Sequence, residues 1–332
     1  MVIVDGPASS TTASGGPTTT ASVPISTAAP SSSTAPTTAE TAEHRSDATT
    51  ETTTTTDDGA AVEAIGEPLL AALFGDDRPP RVVVLHDDVL EEYRADQSPF
   101  VRLHPLVGPW ATVAADWISR PNDDGTRWAA PLISANTLRQ IPDGWWLTEW
   151  DGGAVIVPSD CIVEPIPSVE LRTVYDLALV TVLDVLDLAE FVDGGCFNVY
   201  LRGSAVLSIV HDAEGNAGAV ATNTGLDLTG GDYVGYYVLD PTGRRFVYTD
   251  QASSPSPHVG YEIVMRDTST GAELGRWSTE RGVTTLEASG RWILARVVEP
   301  DSFDAVGWIS IDTSTGRQRF APTQATIVLP SP

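Results

Sequence analysis

Lysine is absent from the 332-residue chain, so all 19 basic residues are Arg, set against 45 Asp and Glu. Without an amine there is no lysine nucleophile, no Schiff base and no Walker-type phosphate loop. The formal charge of -26 repels nucleic-acid phosphates, which argues against a nucleic-acid partner. Uncharged apolar runs never reach the roughly 18 residues that a membrane helix requires, so no transmembrane segment is expected. The G-x-S-x-G, H-E-x-x-H and G-x-G-x-x-G patterns are missing too. No metal site or cofactor is expected, and no residue is assigned a catalytic or ligand-binding role.

What the chain has in excess is hydroxyl, Gly and Pro. From Pro7 to Thr56 it is almost wholly Thr, Ser, Ala, Pro and Gly, ending in the run Thr52 to Thr56. Such a segment buries too little apolar surface to offset about 1–2 kcal/mol of ordering cost per residue. The expectation is a disordered stalk or linker over 1–62, a connecting segment over 63–80, and a folded domain over 81–330. Met1 to Asp5 has no basic region and only a short apolar run, so no signal peptide is expected there.

Two cysteines, Cys161 and Cys196, read either as one disulfide of an exported protein or as two buried thiols. The disulfide is the preferred reading.

Internal repetition organises the folded part. Asp267-Thr268-Ser269-Thr270-Gly271 recurs as Asp312-Thr313-Ser314-Thr315-Gly316, each copy following an apolar strand. A second element, a Gly turn leading into a β-rich stretch, occurs at Gly144, Gly195, Gly243 and Gly290, spaced 51, 48 and 47 positions apart. Glycine supplies the positive φ of the turn, and the following strand enters a core. A period of about 40–50 residues with about four strands is the signature of a β-propeller. The fold class is therefore all-β, a propeller of five to six four-stranded blades with room for one helical insertion. Arg81 to Leu85 and Thr326 to Leu329 are the candidates for closing one blade from both chain ends. The competing architecture is a β-sandwich or a pair of packed β domains.

These turns resemble those of WD-repeat-like propeller blades in periplasmic and envelope proteins. Asp123-Asp124-Gly125-Thr126-Arg127-Trp128 also resembles the Asp box of sialidase-type propellers. Asp123, Gly125 and Trp128 match the motif, whereas Pro121 stands in place of Ser or Thr. The resemblance implies a structural turn in which the Asp caps and the Trp packs into the blade. The Ser/Thr/Pro-rich segment and the Arg-only composition are similar to those of actinobacterial envelope lipoproteins, which implies an extracellular or cell-envelope location. No lipobox cysteine and no export signal is present in the sequence.

Residues 169–192 carry no Gly, Pro or Asn and suit either an amphipathic helix or blade strands. The adjacent Trp145 and Trp146 point to opposite faces of a strand, and both are expected in the core of a propeller. Trp110, Trp117 and Trp128 are expected there as well. The leading functional expectation is a non-catalytic propeller that binds an extracellular ligand or protein partner. The alternatives are a glycoside hydrolase of sialidase type and a structural spacer.

Overall fold

A computed structural model describes residues 54–55, 61–62, 64–134, 136–158, 168–184, 196–211, 217–221, 225–229, 234–250, 260–299 and 304–332. The two short strands β1 (Thr54–Thr55) and β2 (Ala61–Val62) pair antiparallel. The helix α1 (Gly66–Phe74) follows, and then strands succeed one another to the end.

The strands group in fours. The first blade holds β3 (Arg81–His86), β4 (Val89–Arg94) and β5 (Phe100–Leu103). The second holds β6 (Thr112–Ala114), β7 (Trp117–Pro121), β8 (Arg127–Pro131) and β9 (Arg139–Ile141), and the third β10 (Trp145–Trp150), β11 (Gly153–Pro158), β12 (Ser168–Thr173) and β13 (Leu179–Asp184). The fourth holds β14 (Cys196–Arg202), β15 (Ala205–His211), β16 (Ala217–Ala221) and the short β17 (Leu226–Asp227). In the fifth, β18 (Val234–Leu239), β19 (Arg245–Asp250) and β20 (Gly260–Asp267) are completed by the first half of β21 (Glu273–Ser289). The second half of β21 pairs with β22 (Trp292–Val298) and so opens the sixth blade, which β23 (Ala305–Asp312) and β24 (Gln318–Ala321) complete. One 17-residue strand thus serves as the outer strand of one blade and the first strand of the next.

The last strand, β25 (Thr326–Val328), returns to the first blade. Thr326, Ile327 and Val328 pair with Leu85, Val84 and Val83 of β3, giving the order β25-β3-β4-β5. This is the closure expected from the two chain ends.

Packing between blades completes the argument. Six hydrophobic clusters each join two successive blades, and the last one returns to the first. Val83, Leu85 and Leu90 meet Val113, Ile118 and Ala130, and Ala129 and Ile141 meet Leu147 and Ile156. Val155 and Leu171 meet Val199 and Leu201, Leu207 and Ile209 meet Phe246 and Tyr248, and Val247 and Ile263 meet Ile293 and Ile311. Finally Trp292, Leu294 and Trp308 meet Val82, Val84 and Ile327. Both faces of each inner sheet are therefore covered, which is why β3 reads as an unbroken apolar run rather than an alternating one. Six units with six inter-unit cores form a closed ring, a six-bladed β-propeller. A sandwich has no such return contact.

The helix α1 lies before the ring, in segment 63–80, where only a connecting segment is expected from the sequence. Leu69, Leu70, Leu73 and Phe74 are buried in the seam where the sixth blade meets the first, with Phe74 edge-on to Trp292 at 5.1 Å. Each buried side chain stabilises by about 1.5–3 kcal/mol. The helix N-terminus, whose backbone N–H groups lack helical partners, is capped from β4: Ile65 and Gly66 donate to Glu91 Oε1 and Oε2 at 2.8 and 3.0 Å. Residues 169–184 are strands with a turn between them, held by Ala178 N–H donating to Asp176 at 3.1 Å. Val, Leu and Thr in alternation decide for β here. Residues 185–192, the remainder of that ambiguous stretch, lie outside the described residues, as does Cys161 of the expected disulfide. No helix among the described residues is long and apolar enough to cross a membrane.

Candidate functional site

The first strands of the blades gather at the ring axis, with β10 lying against both β6 and β14. Their two ends are built differently. At the end where these strands finish, charged side chains from four blades close on the segment after β25. Arg202 donates to Leu239 O at 3.0 Å and to Leu329 O, and its guanidinium is 3.8 Å from Glu287. Leu329 N–H donates to Glu287 at 3.2 Å, Ser331 N–H to Glu149 at 3.4 Å, and Arg81 to Ser331 O at 3.1 Å. Burial pushes the Glu287 carboxyl up, against the pull of Arg202 and with the push of Glu149. This end is filled by the chain itself.

The end where the first strands begin holds a cavity among the described residues. This cavity of about 400 Å³ is lined by Thr112 at the start of β6, Trp146 of β10, Thr285 of β21 and Thr326 at the start of β25. Its wall includes Arg127 and Arg296, with Trp110 among the lining residues and the buried Trp308 beneath. Trp308 is fixed by its indole N–H, which donates to Ala325 O at 2.8 Å. Trp110 is 82 % exposed and Trp146 49 % exposed, so two tryptophans expected in blade cores stand at a cavity instead. Trp110 has φ +65°, a conformation that bulky side chains rarely adopt and that costs about 1–3 kcal/mol.

Two arginines stand in the cavity wall. Arg127 lies over the Trp146 ring at 4.5 Å, and neither Arg127 nor Arg296 makes an ion pair among the described residues, although Arg78, Arg81, Arg94, Arg172, Arg202, Arg266, Arg276 and Arg291 all do. Burial without a compensating carboxylate pulls both guanidinium groups below their usual value. Arg296 interrupts the apolar strand Trp292–Val298. That lone charge, and the turn context Gly108-Pro109-Trp110, were the available sequence signals for these residues.

Trp146 also walls a second cavity of about 200 Å³, lined by Asn198, Tyr200 and Tyr237. The Asn198 side-chain oxygen is buried there without a hydrogen-bond partner. Burial pushes Tyr200 up to about 12, so its phenol stays protonated.

The motif residues read from the sequence lie elsewhere. In the β7–β8 turn, Asn122 N–H donates to Thr126 O at 2.7 Å and Gly125 has φ +85°. The carboxylate that caps this turn belongs to Asp124, which accepts from Thr126 N at 2.9 Å and Oγ1 at 2.6 Å. Asp123 makes no such bond, while Trp128 packs against the core between the first two blades. Asp267 and Asp312 each accept from the backbone N–H two residues on, at 2.9 and 3.0 Å, in the β20–β21 and β23–β24 turns that Gly271 and Gly316 complete at φ +70° and +71°. Gly243 and Gly290 lie between the first and second strands of their blades, whereas Gly144 precedes a first strand. The four glycines therefore do not mark equivalent positions. Gly195 lies outside the described residues.

No protein-family model and no curated protein matches the chain. Among solved structures, Kuenenia stuttgartiensis hydrazine synthase is similar over 52 % of this chain, with TM-score 0.33 and 16 % identity. The match spans 47 % of that chain, about half its length. A nidogen/laminin complex is similar over 75 % of this chain and 97 % of its own, with TM-score 0.41 and 11 % identity. Likenesses of this size carry no functional argument. The blades and their six shared cores define the class on their own: a β-propeller, with a cavity at one end of its first strands.

Proposed function

We propose that the protein is a binding β-propeller whose ligand enters the cavity at the end where the first strands begin. The observation that carries this reading is the cavity of about 400 Å³ with Trp110 and Trp146 exposed at it. Its size is that of a small-molecule site, and exposed aromatics with a few polar groups are the usual lining of one. The lining is made of Trp, Thr, Arg, Ala and Pro. Glycoside hydrolysis needs two carboxylates flanking the scissile bond, and this composition favours binding over it. The extracellular placement rests on the Ser/Thr/Pro-rich segment.

The test is a thermal-shift screen of the full chain and its Trp146→Ala variant against mono- and disaccharides, short peptides and aromatic acids. A ligand present at a hundred times its Kd should stabilise the wild type by about 2.7 kcal/mol, and the variant should lose most of that gain. Hits whose stabilisation is untouched by the Trp146 change would place binding elsewhere and defeat the reading.

A further inference from the structure

Two arginines in the axial cavity have no carboxylate to neutralise, in a chain where acids outnumber bases by 45 to 19. Eight of the 18 described arginines are ion-paired, and of the ten that are not, Arg127 and Arg296 are the two that line this cavity. Leaving Arg127 and Arg296 unmatched and half-buried is costly unless an anion from outside completes them. A guanidinium fork is suited to that task, because its parallel N–H groups match the two oxygens of a carboxylate or phosphate.

The aromatic groups give the rest of the ligand. Trp146 carries Arg127 at its ring and keeps half its surface exposed. Trp110 is held outward by a left-handed backbone. Indole rings presented in this way contact the flat face of another ring. Thr112, Thr285 and Thr326 add hydroxyls that donate or accept. Stacking surface, hydroxyls and unmatched guanidinium groups thus line one volume.

We infer that the ligand is an oxyanion borne on a ring, a carboxylated or phosphorylated cyclic molecule whose ring lies against Trp110 or Trp146 and whose anion is taken by Arg127 and Arg296. This rests on the reading of the cavity as a ligand site and narrows it to one chemical class. The source of the anion, carboxylate or phosphate, is left to the experiment.

Four probes are titrated into the full chain by calorimetry and tryptophan fluorescence at up to about 10 mM, a range that captures weak binding: methyl glucuronide, glucose 6-phosphate, methyl glucoside and phenylacetate. At least one anionic probe is expected to bind at least about tenfold tighter than the neutral methyl glucoside, a difference of 1.4 kcal/mol. Whether glucuronide or glucose 6-phosphate is preferred identifies the anion. Arg127→Gln and Arg296→Gln should each remove most of the preference while leaving the far-ultraviolet circular dichroism and melting cooperativity of the wild type. Equal binding of methyl glucoside and the anions, unaffected by either arginine change but weakened by Trp146→Ala, would overturn the anion class and leave the site standing. Absence of binding by all four probes would overturn this inference, and the broader screen would then decide the fate of the cavity itself.

Discussion

At the scale of single residues, the contact between Gly66 and Tyr93 is the most exacting. A Cβ built on Gly66 would lie 2.4 Å from the Tyr93 ring. That ring cannot swing away cheaply, because its hydroxyl donates to Glu91, which also accepts the helix N–H groups and lies 2.6 Å from His86 Nε2. Gly66→Ala is therefore expected to destabilise by about 1–3 kcal/mol, the usual cost of overpacking, read as a lower midpoint in urea with an unchanged slope. A neutral result would mean that α1 is not held against the ring in this way. Glu91 itself is 0 % exposed. Burial acts to raise its pKa, but the hydrogen bonds from His86, Tyr93, Ile65 and Gly66 outweigh it and hold the carboxyl below its usual value. The stability it contributes is therefore present above the ordinary carboxylate range and lost as pH falls through the lowered value. Nothing in the local sequence marks Glu91 as a helix cap, since helix and cap are 25 residues apart. The Asp box had the opposite difficulty: Asp123 and Asp124 are adjacent, and only the turn geometry tells which carboxylate reaches Thr126.

At the scale of elements, the ring is closed by β25 and by the four residues after it. Arg202 of β14 joins three other elements at once: the end of β18 through Leu239, Glu287 of β21, and Leu329 beyond β25. Arg202→Met would leave Glu287 without its cation and still beside the like charge of Glu149, at a cost of about 3–5 kcal/mol. The raised pKa of Glu287, caused first by burial, has the reverse pH consequence to that of Glu91. A group whose folded pKa is raised favours the folded state at low pH and loses that advantage as pH rises from the ordinary value of 4.5 through the raised one. Glu287→Gln, which keeps an acceptor for Leu329 N–H, should remove that decline. Denaturant titrations of the two proteins from pH 4 upward should show wild-type stability falling relative to the variant, and a difference independent of pH would refute the assignment.

The repeat spacing bounded the blade number only to five or six, but closure was legible in the sequence because it rests on two short apolar runs, Arg81 to Leu85 and Thr326 to Leu329. Blade register was not, because glycines such as Gly144 and Gly243 serve different turns with the same positive φ. The seat of Leu329 and Ser331 was not legible either, as it is made by side chains from β3, β10, β14 and β21 that only the ring brings together. The same reason hid the cavity, whose lining runs from Trp110 to Thr326.

At the scale of the whole molecule, the net charge of -26 and the two unmatched arginines act in opposite directions on an anionic ligand. The long-range field repels it, while the site attracts it at contact. The two ranges can be separated by salt, because the Debye length shrinks from about 30 Å at 0.01 M to about 8 Å at 0.15 M. Over that interval the repulsion felt during approach is largely screened, whereas a half-buried guanidinium–oxyanion contact is screened much less. The association rate of an anionic ring ligand should therefore rise with added NaCl, the reverse of electrostatic steering. Its dissociation rate should change less. A neutral analogue such as methyl glucoside should show neither trend. Stopped-flow tryptophan fluorescence at several salt concentrations measures both rates. An association rate that falls as salt is added would mean that the ligand meets a local positive field extending beyond the cavity, and that the two arginines steer the ligand from a distance as well as holding it.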